Sequence, residues 1–201
     1  RSRFENVYKA IIFMPMAISF VGAGVIWKFV YTYKGTGAGI EEIGLINAII
    51  LALGGESQPW LQIPPWNNLL LIVIMVWLQT GYAMVIISSA IKGVPEELLE
   101  AARIDGANEV KAFFSITVPF IQGTLLTVTT TVVIFSLKLF DIVRVMTGGN
   151  NGTNVIANEF YLQSFTYNNA GRASAIAIVL LLAAIPVIVY NLRQFSERRA
   201  F

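Results

Sequence analysis

Four long apolar runs dominate the chain, at residues 10–33, 69–91, 120–140 and 173–190. Each is close to the ~20 residues that a membrane-crossing helix needs. Pro15 and Pro186 fall inside two of them, where neighbouring helices can satisfy the carbonyls a proline frees. A fifth run, 43–53, is too short to cross and stops at Gly54-Gly55. It predicts a short surface helix, followed by a loop whose Trp60 and Trp66 suit a membrane–water interface. Residues 92–119 read differently. Pro95 suits the first turn of a helix, and Glu96, Glu97 and Glu100 crowd its positive N-terminal end. Leu98, Leu99, Ala101 and Ala102 give that helix an apolar side, the two alanines being small enough for close approach. Gly106 is placed to end it in the left-handed conformation. Val110, Phe113, Phe114 and Ile116 recur at helical spacing until Pro119 opens the next apolar run. The expectation is two short helices at an angle.

Composition reinforces the membrane reading. The 201 residues are 56% apolar and 13% charged, with a mean hydropathy of +0.67, whereas a soluble domain carries about 25% charge. Absence of cysteine and histidine excludes thiol catalysis, disulfides, Ser-His-Asp chemistry and nearly every zinc site. No acid–base pair or metal cluster recurs at a consistent depth, so no catalytic or metal-ligating residue is assigned. A net charge of +2 without a basic, aromatic-rich patch gives no reason to expect nucleic acid.

Lysine and arginine set the expected direction. Arg1, Arg3, Lys9, Lys92, Arg103, Lys111, Arg193, Arg198 and Arg199 fall on one side, against Lys34, Arg144 and Arg172 on the other. Positive residues mark the cytoplasmic side, so 92–119 is expected inside and 34–66 and 141–172 outside. The inner connector holds five acids (Glu96, Glu97, Glu100, Asp105, Glu109) and three bases (Lys92, Arg103, Lys111). Helices that bind headgroups are rich in basic residues, so a groove on a cytoplasmic protein suits this one better than anionic lipid.

Glu100-Ala101-Ala102, Gly106 and Ile116-Thr117-Val118-Pro119 resemble, at fixed spacing, the EAA signature of membrane subunits of bacterial ABC importers, with Val118 where leucine is usual. The segments at 44–55 and 135–165 are similar to the external parts of sugar-type permeases. In the second, Phe140-Asp141, Thr147-Gly148-Gly149, Thr153, Tyr161 and Phe165 match, and Asn150-Asn151-Gly152 replaces the family's proline. The relatives implied are the larger permease partners of maltose-type importers.

The resemblance implies an all-α polytopic protein of the bacterial cytoplasmic (inner) membrane, a type I importer helical bundle. About four spans of a six-helix core lie here, in one domain over 1–201, with one or two N-terminal helices expected ahead of it. It implies that 92–119 couples to ATPase subunits through Glu100, Ala101, Ala102, Asp105, Gly106, Ile116 and Pro119. The implied partners are those ATPases, a sister permease, an extracytoplasmic sugar-binding protein, a sugar or glycoside, and the bilayer. No cofactor is expected on this chain, ATP and magnesium belonging to the ATPase subunits.

Polar groups inside apolar spans point to the pathway, because an unsatisfied one is costly in lipid. Gln79 and Tyr82 share a helix face, and Phe135 with Ser136 lie at a comparable depth in the next run. Hydrogen-bonding side chains beside an aromatic ring suit a sugar. Leu78, Val132 and Leu139 fall on the same stretches, from which pathway contacts come in the maltose-type family. The alternative is plain packing, with Gln79 and Ser136 bonding a neighbouring helix. Thr127, Thr129, Thr130 and Thr131 are expected to bond back to helix carbonyls, and Lys138 to pair with Asp141. Two rival functions remain. A secondary transporter would place charged groups at mid-membrane, and the middles of these spans have none. A non-transporting scaffold would use 92–119 as an adaptor site.

Overall fold

The computed structural model describes residues 4–35, 44–137 and 139–198, with side chains for all of these except 6, 187 and 191–198. The described residues are helical with connecting turns: α1 Glu5–Phe13, α2 Phe20–Val30, α3 Leu45–Ala52, α4 Trp66–Lys92, α5 Glu96–Ile104, α6 Glu109–Ala112, α7 Val118–Phe120, α8 Gln122–Leu137, α9 Asp141–Met146, α10 Ile156–Tyr161 and α11 Ala170–Arg198. A wider, π-helical turn, Phe113–Thr117, joins α6 to α7, and a second, Leu162–Thr166, follows α10. The short run at 43–53 forms α3, as expected, with Ile43 outside the described residues.

Two helices are long and apolar enough to cross a membrane alone, α4 and α11. Pro65 precedes α4 and Gly93 follows it, residues suited to a helix boundary. α11 continues through Pro186. The run at 10–33 is not one straight span. Residues Val7–Ala17 and Phe20–Val30 meet at 102°. Pro15 sits in a tight 3₁₀ turn, Met14–Ala17, after which Ile18 is extended. Ser19 then restarts the helix, its Oγ accepting from Gly22 N at 3.0 Å. The run at 120–140 also differs from expectation. Phe120 belongs to the segment Glu109–Phe120, which meets Gln122–Leu137 at 69°. Pro119 therefore lies in the last turn before the bend and does not open the span. Counting each bent pair as one crossing gives the expected four.

The buried core joins α2, α4 and α9 through Ala23, Tyr31, Leu71, Ile74, Leu78, Ile142, Val143 and Met146. α4 also contacts α1 and α8, and α8 contacts α11. α1 lies so close to α4 that a Cβ on Gly81 would stand 2.8 Å from Ile12 O and from Phe13 Cα. At the connector end, Glu5 pairs with Lys9 at 2.7 Å and with Lys92 at 2.5 Å, while Lys9 Nζ donates to Ser88 Oγ at 2.6 Å. Lys9, then Lys92, hold the Glu5 carboxyl down to about 2 from 4.5. A lowered carboxyl stabilises the fold above its ordinary value and loses that effect as pH falls through its folded value. The pin is therefore intact throughout neutral pH. It puts 5–9 and 88–92 at one end of the bundle, as the charge pattern required.

Gly81→Leu forces α1 off α4 and is expected to lower stability by about 1–3 kcal/mol. Thr80, exposed and bonded back to Val76 O, is the comparison: Thr80→Leu should stay within about 0.5 kcal/mol of the parent. Thermal unfolding of the detergent-solubilised full-length protein, followed by size exclusion, checks both.

Candidate functional site: a cleft at the broken span

The break at residues 18–19 opens a cleft. Met16, Ile18, Ser19 and Phe20 come from the break, Leu78, Gln79 and Tyr82 from α4, and Phe135 from α8, around about 340 Å³. That volume lies in the range of small-molecule pockets, roughly 300–1,000 Å³. A smaller space of about 170 Å³ shares Phe20 and Phe135 with it and adds Met75, Leu139, Phe140, Asp141 and Ile142. The Phe20 and Phe135 rings stand 6.2 Å apart. Gln79 Nε2 is buried and has no hydrogen-bond partner in the protein. The Gln79 side chain therefore does not bond a neighbouring helix through this donor. Such a group costs about 1–3 kcal/mol unless something else satisfies it.

The sequence-derived pathway residues divide. Gln79, Tyr82 and Phe135 share the larger cleft, and Leu78 reaches it while also belonging to the core. Leu139 lines the smaller space. Val132 and Ser136 line neither. Ser136 Oγ donates to Val132 O of its own helix at 3.0 Å, so its hydroxyl completes α8. Thr127, Thr130 and Thr131 bond back to Gly123, Leu126 and Thr127 carbonyls as expected. Lys138 lies outside the described residues, so its pairing with Asp141 does too. The sequence reading missed Met16, Ile18, Ser19 and Phe20. The available signal was Pro15 followed by Ser19 three residues before Gly22, a helix stop and a cap inside an apolar run.

In the connector, Asp105 caps α5 and Gly106 is left-handed with φ +82°. Gly106 N donates to Arg103 O at 3.1 Å and Ala107 N to Ala102 O at 2.9 Å, the paired bonds of a Schellman stop. Asn108 caps α6, its side chain accepting from Lys111 N. Arg103 bridges to Glu109 at 3.0 Å across the turn between the two short helices. Pro95 sits one position earlier than expected, as the cap before Glu96. The alanine pair also divides: Ala102 is buried, while Ala101 and Glu100 are exposed. Ile116 is half-buried and Pro119 exposed. Ile104 is 85% exposed, and Val110 and Phe114 are each 66% exposed, giving the unit an uncovered apolar edge.

The opposite end is capped by polar contacts. Asn67 Nδ2 donates to Asn151 O at 2.8 Å, and Asn68 Nδ2 to Gly152 O at 3.5 Å, tying the 147–153 loop to the start of α4. Thr147 and Thr153 hydroxyls are 2.6 Å apart. The Tyr161 ring centre lies 5.2 Å from Phe140 and 5.1 Å from Phe165, each pair tilted, with the Arg144 guanidinium 4.6 Å over its ring. Glu159 accepts from Gln163 Nε2 at 2.7 Å and Asn154 Nδ2 at 2.8 Å, and these bonds hold its carboxyl below the ordinary value. The motif residues of 140–165 thus build one bonded cap.

The model of the family described as "Binding-protein-dependent transport system inner membrane component" matches residues 1–201. The chain belongs to that family. It is 56% identical over 196 residues to the osmoprotective compounds uptake permease protein GgtC of Synechocystis sp., covering 98% of this chain and 70% of that protein. It is 53% identical over 193 residues to the alpha-glucoside transport system permease protein AglF of Rhizobium meliloti, covering 96% of this chain and 57% of that one. A chain in the crystal structure of a bacterial alginate ABC transporter, in complex with an alginate pentasaccharide-bound periplasmic protein, superposes with a TM-score of 0.81 at 19% identity. That match covers 94% of this chain and 64% of that one. The fold is that of a type I importer transmembrane domain.

Within this family member the 147–153 loop gives a clean contrast. A Cβ on Gly149 would meet Asn158 Nδ2 at 2.5 Å and Asn154 Oδ1 at 2.7 Å, whereas one on Gly152 meets nothing within 4 Å. Both are left-handed. Gly152→Ala should cost only the backbone penalty of about 1–2 kcal/mol. Gly149→Ala adds the loss of the Asn158 contacts and should cost more. Local hydrogen exchange over 147–158 in the full-length protein checks the order.

Proposed function

We propose that the chain is the permease subunit of an ATP-driven, binding-protein-dependent importer of neutral sugars or glycosides, and that the cleft at the broken span is on the translocation pathway. The observation that carries this reading is Gln79, which lines a cleft of sugar-like dimensions with a buried, unpartnered donor. A ligand oxygen arriving there removes the cost of the orphaned N–H. Ser19 Oγ already accepts from Gly22 N, which leaves its own proton to donate to a ligand. Tyr82 adds a phenol, and Phe20 and Phe135 supply aromatic faces for the apolar side of a pyranose ring. Among the described residues, Tyr82 is the one ionisable side chain lining the cleft, and Asp141 lines only the adjoining space. That balance favours an uncharged ligand. The names of GgtC and AglF, which handle osmoprotective compounds and alpha-glucosides, point the same way.

On this reading a substrate-binding protein delivers the ligand at the 31–67 and 147–165 end, outside the cell. A sister permease completes the pathway. The 92–119 unit docks by its apolar edge in a groove on a cytoplasmic ATPase subunit, with Glu100, Asp105 and Gly106 setting its shape. ATP and magnesium are bound and ATP is hydrolysed on that partner, so this chain needs no cofactor of its own and is not itself an enzyme. Displacement of the connector passes through the Glu109–Phe120 segment and its 69° bend into α8, which carries Phe135. The coupling free energy between ATP state and cleft state is carried by that path.

Gln79→Leu in the complete transporter removes the donor and should raise the KM for sugar uptake about 3- to 10-fold, the range set by losing one hydrogen bond, with basal ATP hydrolysis unchanged. Ser136→Ala should alter uptake less than about twofold, because its hydroxyl is used within α8. Equal loss in both variants, or loss of basal hydrolysis with Gln79→Leu, contradicts the pathway assignment.

A further inference from the structure

α3 has its polarity inside out. Its one polar side chain, Asn47, is fully buried. Nδ2 donates to Thr32 O at 3.0 Å and Gln58 O at 3.1 Å, while Oδ1 accepts from Gln58 N at 3.0 Å and Trp60 Nε1 at 2.8 Å. Every hydrogen-bonding capacity of the amide is used. Ile46 packs on the core beside it, and Ile50 is half-buried. The outward side carries Leu45, Ala48, Ile49 and Ala52, with Leu53 just past the helix end, and residues 44–55 contain no charge. Leu45 is 56%, Ile49 51% and Leu53 83% exposed. In water this exposed apolar surface forgoes the stabilisation that burial would give, so an apolar environment suits this face.

The position of α3 selects that environment. Asn47 ties it to Thr32, at the end of α2, and through Trp60 to the start of α4, where the Trp60 and Trp66 rings stand 6.4 Å apart. Trp66 is itself exposed and begins the apolar belt of α4, which continues through exposed Leu69, Ile72, Val73 and Val76. Tryptophan collects at the membrane–water interface. α3 therefore stands where the lipid-facing belt of a spanning helix starts. A soluble binding protein that comes and goes fits poorly, because non-obligate interfaces are only about as apolar as ordinary surface. Helices that lie in the interface bury an apolar face roughly 5–10 Å into the headgroup–acyl boundary. In α3 the usual charged face is replaced by the protein's own polar cradle around Asn47.

We propose that α3 is an interfacial anchor, its Leu45, Ala48, Ile49 and Ala52 face together with Leu53 seated in the bilayer leaflet at the end of the bundle remote from the connector. The anchor fixes the height of the 53–66 loop, and so the end of α2 and the start of α4, against the lipid surface. It depends on the membrane fold alone, and the importer reading survives its failure.

The test uses the absence of native cysteine in these residues. Single cysteines at Ile49 or Ala52 in the full-length protein carry an environment-sensitive fluorophore. The protein is placed in phosphatidylethanolamine–phosphatidylglycerol nanodiscs containing lipid with a headgroup nitroxide. Labels at Ile72, on the α4 belt, and at exposed Glu56 are the lipid and water references. Emission at 49 and 52 should be blue-shifted, fall about twofold or more with the shallow nitroxide, and resist aqueous iodide, as an interfacial face requires. Red-shifted emission quenched by iodide, as at Glu56, overturns the proposal. Blue-shifted emission that neither quencher touches also overturns it, assigning the face to another membrane protein chain.

Discussion

Hydrocarbon offers no hydrogen bonds, so wherever a membrane-crossing helix breaks, the chain must supply partners for the freed backbone groups. The first span breaks at residues 18–19, and Ser19 meets that requirement by capping the restarted helix. Much of the molecule follows from this capped break. It turns α2 across α9, where Gly24 lets Val145 approach, a Cβ there standing 3.0 Å from Val145 Cγ1. It also leaves a cleft lined by Met16, Ile18, Ser19 and Phe20 on one side and by Leu78, Gln79 and Tyr82 of α4 on the other. A straight helix over 10–33 would fill that space with its own turns.

The two ends of the bundle solve different problems. At the connector end, contacts are ionic or left open: the Glu5, Lys9 and Lys92 cluster pins α1 to α4, and the α5–α6 unit keeps Ile104, Val110 and Phe114 uncovered. At the other end, asparagines and threonines with left-handed Gly148, Gly149 and Gly152 knit separate loops into a cap.

The sequence made much of this legible, for physical reasons that differ by element. α4 and α11 stand out because lipid demands uninterrupted apolar length. The connector's two helices and the Gly106 stop follow from local rules of capping and charge. Clustering of Gln79, Tyr82 and Phe135 was accessible because polar groups are rare and costly in a span. The break was only faintly marked: Pro15 alone is tolerated in spans and hydropathy does not change across Ser19, so the Ser19 cap before Gly22 was its one local signal. The buried Asn47, Asn67 and Asn158 were not legible. Amide side chains ordinarily face water, and the carbonyl that Asn67 binds lies 84 residues away. Val132 and Ser136 show the converse limit. They share a helix with Phe135, yet the Ser136 hydroxyl is spent on the helix itself.

The central claim is that the connector's apolar edge is held by an ATP-hydrolysing partner. The direct measurement is mild-detergent purification of the tagged full-length chain from its own membranes, beside a variant combining Ile104→Ser and Phe114→Ser. Both side chains are largely exposed, so the variant should fold and insert as the parent does. The account predicts that an ATPase subunit and its hydrolytic activity accompany the parent and are lost from the variant. An ATPase retained equally by both, or absent from both, would contradict it.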